Sequence, residues 1–91
     1  IDSLLIGTND LCMEMGIPGQ LDHDDVVAAY GSLIEACQTN GKYAGMGGVY
    51  SPPVMQRYIE MGVQLVLAGN DLSFMIEAAR NRANEVRDML S

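Results

Sequence analysis

Residues 4–11 read Leu-Leu-Ile-Gly-Thr-Asn-Asp-Leu, and residues 65–72 repeat the pattern as Leu-Val-Leu-Ala-Gly-Asn-Asp-Leu. In each stretch an apolar run leads into a glycine-containing turn and then Asn-Asp-Leu, which is typical of a helix start. An apolar run without alternation favours a strand of a parallel sheet covered by helices. The repeat therefore predicts an α/β fold, with Asp10 and Asp71 just beyond the carboxyl ends of two strands, where such folds bind ligands.

The composition excludes several classes of protein. Ninety-one residues allow a single domain with a modest core. The chain has 5 Lys and Arg against 12 Asp and Glu, a net charge of −7, which argues against nucleic acid or an anionic membrane surface as partner. No apolar stretch approaches the roughly 20 residues of a membrane span. Cys12 and Cys37 lack metal-ligand spacing and favour a reducing, cytoplasmic setting.

The periodicity of the chain predicts three strand–helix units in one fragment, residues 1–91. We expect strands near residues 3–6, 42–46 and 64–68, and helices near residues 24–40, 52–61 and 72–90. The first of these helices should bury a face with Val26, Tyr30, Leu33 and Cys37. The last should bury a face with Leu72, Met75, Ile76, Ala79, Ala83, Val86 and Leu90. Because a (β/α)8 barrel needs about 250 residues, we expect the chain to supply the last three units of a longer protein.

The first Asn-Asp pair has two possible roles. Asp10 could ligate a hard metal ion or act as a base, or it could cap the following helix together with Asn9. Gly7 permits a sharp exit from the strand, and the N–H groups of Thr8, Asn9 and Asp10 can face an anion at the helix start. The capping role is favoured for the second pair, Asn70 and Asp71, and we assign Asp71 to capping the last helix.

Four motifs in order resemble a known family. They are Ile-Gly-Thr-Asn-Asp-Leu (6–11), Met-Gly-Ile-Pro-Gly-Gln (15–20), Gly-Lys-Tyr-Ala-Gly-Met-Gly-Gly (41–48) and Leu-Ala-Gly-Asn-Asp-Leu (67–72). Together they resemble the C-terminal third of the HpcH/HpaI aldolases, which are class II, metal-dependent pyruvate (hydroxyketoacid) aldolases. The resemblance covers nearly the whole chain and implies three consecutive βα units forming the C-terminal part of a TIM (β/α)8 barrel.

The resemblance also implies roles for particular residues. In the family an Asp after the sixth strand binds a divalent metal with an upstream Glu, and Asp10 matches that ligand. The backbone N–H groups after Gly7, including those of Thr8 and Asn9, are expected to hold the carboxylate of pyruvate. Thr8 stands where many members have Pro, which we expect to alter loop rigidity more than chemistry. Gly47 stands where some relatives carry a bulky apolar residue beside the substrate.

The implied activity is that of a carbon–carbon lyase. Mg²⁺, Mn²⁺ or Co²⁺ would chelate pyruvate and stabilise its enolate, which adds to an aldehyde, and the reverse reaction would cleave a 4-hydroxy-2-oxo acid. The family's Glu, Arg and His would lie upstream of residue 1. We therefore assign no catalytic residue within the chain, and expect an incomplete metal site and no activity for the chain alone. The resemblance further implies a cytoplasmic homo-oligomer.

Two alternatives remain open at this point. One is a catalytically inactive barrel fragment that associates with itself through exposed strand edges. The other is a small flavodoxin-like module that would bind phosphate through the N–H groups of Thr8, Asn9 and Asp10. The second is disfavoured because such folds use about five strands, and the sequence predicts three.

Overall fold

The computed structural model describes residues 2–91, which form three parallel strands and four helices. In chain order the elements are β1 (Ser3–Gly7), α1 (Thr8–Glu14), α2 (Asp24–Thr39), β2 (Tyr43–Gly47), α3 (Pro52–Met61), β3 (Leu65–Val66) and α4 (Asp71–Leu90). β2 lies between β1 and β3 and is parallel to both. Each strand therefore lies beside the next strand along the chain, as in a (β/α) barrel.

The register between β1 and β2 aligns the ends of the two strands. Ser3 pairs with Tyr43 at one end of the ladder, and Gly7 pairs with Gly47 at the other. Because the strands are parallel, the residues that follow Gly7 and Gly47 meet at the same edge of the sheet. This register positions the candidate site.

Helices α2 and α3 pack against one face of the sheet. Ala44 and Met46 alternate towards this face and are buried. On α2 the buried side chains recur at helical spacing: Val26, Tyr30, Ile34 and Cys37. Leu33, predicted on the same face, is partly buried against this core. The apolar side of α2 is thus the side that contacts the sheet.

Two tyrosines join α2 to α3 inside this core. The rings of Tyr30 and Tyr58 stack with their centroids 3.9 Å apart and 18° between their planes. Both side chains are fully buried, and Tyr58 donates its hydroxyl to the carbonyl of Leu21. Burial, with the nearby Tyr30 as the next cause, raises the pKa of Tyr58 to about 12. Both rings contribute apolar packing while their hydroxyls find partners.

The opposite face of the sheet has no helix packed on it within residues 2–91. Leu5, Tyr43, Leu65 and Leu67 are each about half exposed, at 47%, 55%, 42% and 49%. Leu5 and Leu67 approach the same side of Gly47, which shows that they lie on one face. A closed barrel fills its interior with large apolar side chains from its strands. The uncovered face is therefore the one that would line a barrel interior.

Helix α4 differs from the sequence-based expectation. It begins at Asp71, one residue earlier than predicted, and none of its side chains is buried. The expected burial of its apolar face is therefore wrong for residues 2–91. The physical reason is that α4, about 30 Å long, extends away from the sheet in a molecule measuring 56 × 28 × 20 Å. No other described element lies along that face.

Other boundaries shift by smaller amounts. β3 spans two residues rather than five, although Gln64 and Leu67 still donate N–H groups to β2, to Ala44 and Met46, both at 2.9 Å. α1 begins one residue before the first Asn-Asp-Leu, where the sequence indicated a helix start without giving the bounds of a helix. In the described part of the chain, no helix is both long and apolar enough to cross a membrane.

Candidate functional site

A cleft lies where β1 and β2 end, and we name it the strand-end cleft. Its volume is about 230 Å³, and it is lined by Gly7, Thr8, Asn9, Asp10, Gly47 and Gly48. The structure thus brings together every residue to which the sequence analysis assigned a metal or substrate role. It adds Gly48, which that analysis missed because its importance depends on a contact with a residue far away in the chain.

Asp10 presents its carboxylate at the strand-end cleft. The residue is exposed, and its Oδ2 lies 3.5 Å from the position that a Cβ on Gly7 would take. Helix α1 has no side-chain hydrogen bond at its N-cap, which is Gly7. No side-chain hydrogen bond in the described residues supports the helix-capping interpretation of Asn9 and Asp10, although Asp10 places a negative charge in the first turn of α1. The exposed carboxylate is accessible to a ligand.

The second Asn-Asp pair, in contrast, forms a helix cap. Asn70 Oδ1 accepts a hydrogen bond from Ser73 N at 2.8 Å, and Asn70 N donates to Ser73 Oγ at 3.1 Å. This reciprocal pair is a capping box. Asp71 Oδ1 accepts from the N–H of Leu72 at 2.9 Å and adds negative charge to the first turn. The capping expected of this pair is therefore present, but the cap residue is Asn70, and Asp71, to which the cap was assigned, lies in the first turn of α4.

The Thr8 side chain points into the core. It is fully buried, its Oγ1 donates to the carbonyl oxygen of Gly47 at 2.7 Å, and it lies 2.6 Å from the hydroxyl of Tyr30. Only the backbone of Thr8 remains to face the strand-end cleft. A proline at this position would lack the hydroxyl, so Thr8 provides a contact beyond loop rigidity. The sequence signal that could have indicated this contact is Tyr30 on the buried face of α2, since a buried tyrosine needs a partner for its hydroxyl.

Asn9 and Gly48 form one side of the strand-end cleft. Asn9 Nδ2 lies 3.5 Å from the carbonyl oxygen of Gly48. Gly48 has a φ of +80°, and a Cβ at this position would lie 2.8 Å from Asn9 Nδ2. The backbone conformation therefore favours glycine, and a Cβ at this position would also require the end of the Asn9 side chain to move.

Named proteins match the chain along most or all of its length. Hydroxypyruvate/pyruvate aldolase of Cupriavidus necator is 33% identical over 91 residues, which is 100% of this chain and 34% of that protein. The 4-hydroxy-2-oxo-heptane-1,7-dioate aldolase of Salmonella paratyphi C is 33% identical over 79 residues, which is 87% of this chain and 30% of that protein. No protein-family model matches the chain.

Solved structures give the same result. An HpcH/HpaI aldolase/citrate lyase family protein from Burkholderia cenocepacia superposes with a TM-score of 0.84 at 29% identity, over 96% of this chain and 34% of that one. An HpcH/HpaI aldolase from Desulfitobacterium hafniense has a TM-score of 0.81 over 96% of this chain and 34% of its own, and at 23% identity it shows the fold alone. The chain belongs to the HpcH/HpaI aldolase family.

Both the resemblance and the predicted fold class are confirmed. The three βα units match part of the TIM barrel of HpcH/HpaI aldolases, and the chain spans about a third of the length of the relatives it matches. The flavodoxin-like alternative is not supported, because the matching structures are members of this aldolase family.

Of the residues that line the strand-end cleft, Asp10 alone carries a carboxylate. Asp10 offers one hard oxygen ligand of the kind that divalent cations prefer. Across residues 2–91, no group of three or more His, Cys, Asp or Glu side chains is placed to hold a metal ion. A cation bound to Asp10 would therefore need further oxygen ligands from backbone carbonyls, water, the substrate or groups outside the described residues.

We expect Gly48→Ala to lower the free energy of unfolding by more than Gly16→Ala. Both glycines have positive φ, +80° and +75°, so each substitution costs about 1 kcal/mol for the backbone alone. Only at Gly48 does the new Cβ also approach Asn9, whereas nothing lies within 4 Å of it at Gly16. Urea unfolding of both variants measures the difference. Equal losses would show that Asn9 moves aside freely.

Proposed function

We propose that the intact protein containing this chain is a cytoplasmic, divalent-metal-dependent aldolase that forms or cleaves 4-hydroxy-2-oxo acids through a pyruvate enolate. The observation that carries this proposal is the strand-end cleft, which combines the accessible Asp10 carboxylate with the glycine-rich ends of β1 and β2. The relatives from Cupriavidus and Salmonella are named as aldolases acting on compounds of this class. Pyruvate and an aldehyde, or the 4-hydroxy-2-oxo acid, are the proposed substrates.

The chain's own residues would bind and orient the oxoacid. Asp10 supplies one carboxylate ligand to Mg²⁺, Mn²⁺ or Co²⁺. When bound, the cation would provide Lewis-acid stabilisation of the charge that develops on the keto oxygen. The N–H groups of Thr8 and Asn9, which follow the turn at Gly7, would bind the carboxylate of pyruvate. Proton transfer is left to residues outside this chain.

Gly47 is proposed to leave room for the aldehyde. A Cβ at Gly47 would lie 3.5 Å from Leu5 Cδ2 and 3.6 Å from Leu67 Cδ1, on the uncovered face of the sheet. That face would line the interior of a closed barrel. A larger side chain at Gly47 would therefore project into the space beside the strand-end cleft.

In the intact protein, Asp10→Asn should reduce metal-dependent enolisation of pyruvate by about a hundredfold or more, because it removes a charged ligand while keeping the shape. The measurement is deuterium exchange at the methyl group of pyruvate with added Mn²⁺. Asp71→Asn, the matched control, should retain most of the exchange because Asp71 lies in the first turn of α4. Near wild-type exchange in Asp10→Asn would refute the metal role.

Gly47→Leu should change the choice of aldehyde more than it changes methyl exchange. The added side chain would narrow the acceptor space without removing a ligand, and Gly47→Ala should have a smaller effect in the same direction. A panel of small and bulky aldehydes, compared with pyruvate alone, measures the effect. Unchanged ratios between the aldehydes would place Gly47 away from the acceptor.

We further propose that the protein forms a homo-oligomer and that the 91-residue chain alone is an inactive, self-associating fragment. The support is the exposed apolar face of α4, lined by Ala79, Ala83, Val86 and Leu90 together with two arginines. The match to the Burkholderia structure covers 96% of the chain and so includes most of α4. An extended α4 is therefore compatible with the fold of a relative, and an exposed apolar face of this kind favours contact with another chain.

The 91-residue chain should sediment at micromolar concentration as a dimer or larger species and should show no aldolase turnover with any of the three metals. Val86→Asp, on the apolar face of α4, should shift the distribution towards smaller species. Asn81→Asp adds the same charge to the same helix away from that face and should not. A well-folded monomer would contradict the association, and metal-stimulated turnover would contradict the inactivity.

A further inference from the structure

Tyr30 lies on a helix that covers the sheet, yet its hydroxyl contacts Thr8, which lines the strand-end cleft. It lies on α2, is fully buried, and does not line the cleft. Its hydroxyl oxygen lies 2.6 Å from Thr8 Oγ1, across 22 positions of sequence. Thr8 in turn donates to the carbonyl of Gly47 at 2.7 Å, across 39 positions. Two consecutive hydrogen bonds therefore connect Tyr30 on α2, through Thr8, to the end of β2.

The chemistry of the three groups determines which atom donates in each of these two hydrogen bonds. A carbonyl oxygen only accepts, so the bond to Gly47 uses the single hydroxyl hydrogen of Thr8. The hydrogen between Thr8 and Tyr30 must then come from Tyr30. Burial raises the pKa of Tyr30 above its ordinary value, although the hydrogen bond to Thr8 opposes the change. Tyr30 is therefore protonated at neutral pH and able to donate.

The bond from Thr8 to Gly47 is a short side-chain contact between the two segments that line the cleft, the start of α1 and the end of β2. A second side-chain contact between the start of α1 and the residue after β2, from Asn9 Nδ2 to the carbonyl oxygen of Gly48, is 3.5 Å long and correspondingly weak. Asn9 and Asp10 follow directly after Thr8 in α1. A shift of Thr8 relative to Gly47 would therefore move the Asp10 carboxylate relative to the other side of the cleft.

We propose that Tyr30 is a positioning residue for the strand-end cleft: by donating to Thr8 it holds the start of α1 at a fixed distance from Gly47. The proposal deepens the proposed function, on which its kinetic consequence rests, but its structural consequence can be measured without any reaction. Tyr30 does not touch the substrate. Its effect is on the relative placement of Asp10 and Gly47.

The test compares variants of the intact protein that each remove one hydroxyl. Tyr30→Phe keeps the ring that stacks on Tyr58, and Thr8→Val keeps the shape of Thr8. Tyr58→Phe is the matched control, because it also removes a buried tyrosine hydroxyl, but one that donates to Leu21 instead of Thr8. Thr8→Ser keeps the hydroxyl and serves as the rescue variant.

Deuterium uptake by backbone amides measures whether the two sides of the strand-end cleft are held together. In Tyr30→Phe and Thr8→Val, peptides covering residues 4–11 and 43–50 should exchange about fivefold faster, as expected for loss of one buried hydrogen bond. Thr8→Ser should recover most of the protection lost in Thr8→Val. Tyr58→Phe should accelerate exchange near Leu21 and leave both peptides unchanged. Wild-type uptake in Tyr30→Phe, or an equal increase in Tyr58→Phe, would overturn the positioning role.

The kinetic measurement uses the same variants and pyruvate methyl exchange with Mn²⁺. Tyr30→Phe should raise the KM for pyruvate about fivefold and change kcat by less than about twofold, because it loosens binding of the ground state and transition state alike. Tyr58→Phe should leave KM unchanged, and an equal rise in both would overturn the proposal. If the wild-type protein shows no exchange at the methyl group of pyruvate, the proposed function fails. Deuterium uptake by the backbone amides then decides the role of Tyr30 by itself.

Discussion

The buried hydroxyl of Thr8 is the interaction on which the candidate site depends. A hydroxyl removed from water must be paired, since an unpaired one costs about 1–3 kcal/mol. Thr8 meets this requirement with two partners from separate elements, Tyr30 of α2 and Gly47 of β2. The same contacts place the ends of β1 and β2 side by side, in the register that the ladder carries from Ser3 and Tyr43 to Gly7 and Gly47. The hydrogen bonds that satisfy the buried hydroxyl of Thr8 are thus the same contacts that join the two sides of the strand-end cleft.

The two copies of Asn-Asp-Leu show how neighbouring structure divides the roles of identical residues. Asn70 has Ser73 three positions later, and the two residues form a reciprocal cap. Asn9 lies one residue inside α1, and its side chain approaches the carbonyl oxygen of Gly48 on the neighbouring segment. Asp10 and Asp71 both lie in the first turn of a helix, but only Asp10 also lines the strand-end cleft.

The surfaces without partners correspond to the part of the family fold that the chain contains. Its length is about a third of that of the matching aldolases. Within residues 2–91, helices cover only one face of the three-stranded sheet. Leu5, Leu65 and Leu67 therefore remain partly exposed on the face that would line a barrel. The α4 surface differs in kind, because the helix extends away from the sheet, and we attribute its apolar face to contact with another chain.

The sequence by itself determined the features that depend on near neighbours. Apolar runs, glycine turns and the 3.6-residue period predicted three strand–helix units, the packed face of α2 and the residues at the strand ends. Four motifs in order also indicated the family. These signals work because hydrophobic period and turn chemistry act within a single element.

Only the tertiary structure decided which long-range partner each polar group has and which apolar faces are covered. The contacts of Thr8 span 22 and 39 positions, and the side chain that lies close to Gly48 is that of Asn9 in α1, 39 positions away. The apolar period of α4 predicted burial, but a period specifies only which side of a helix is apolar and not whether any surface lies against it. Partners and coverage depend on how separate elements approach in space, which a local pattern does not encode.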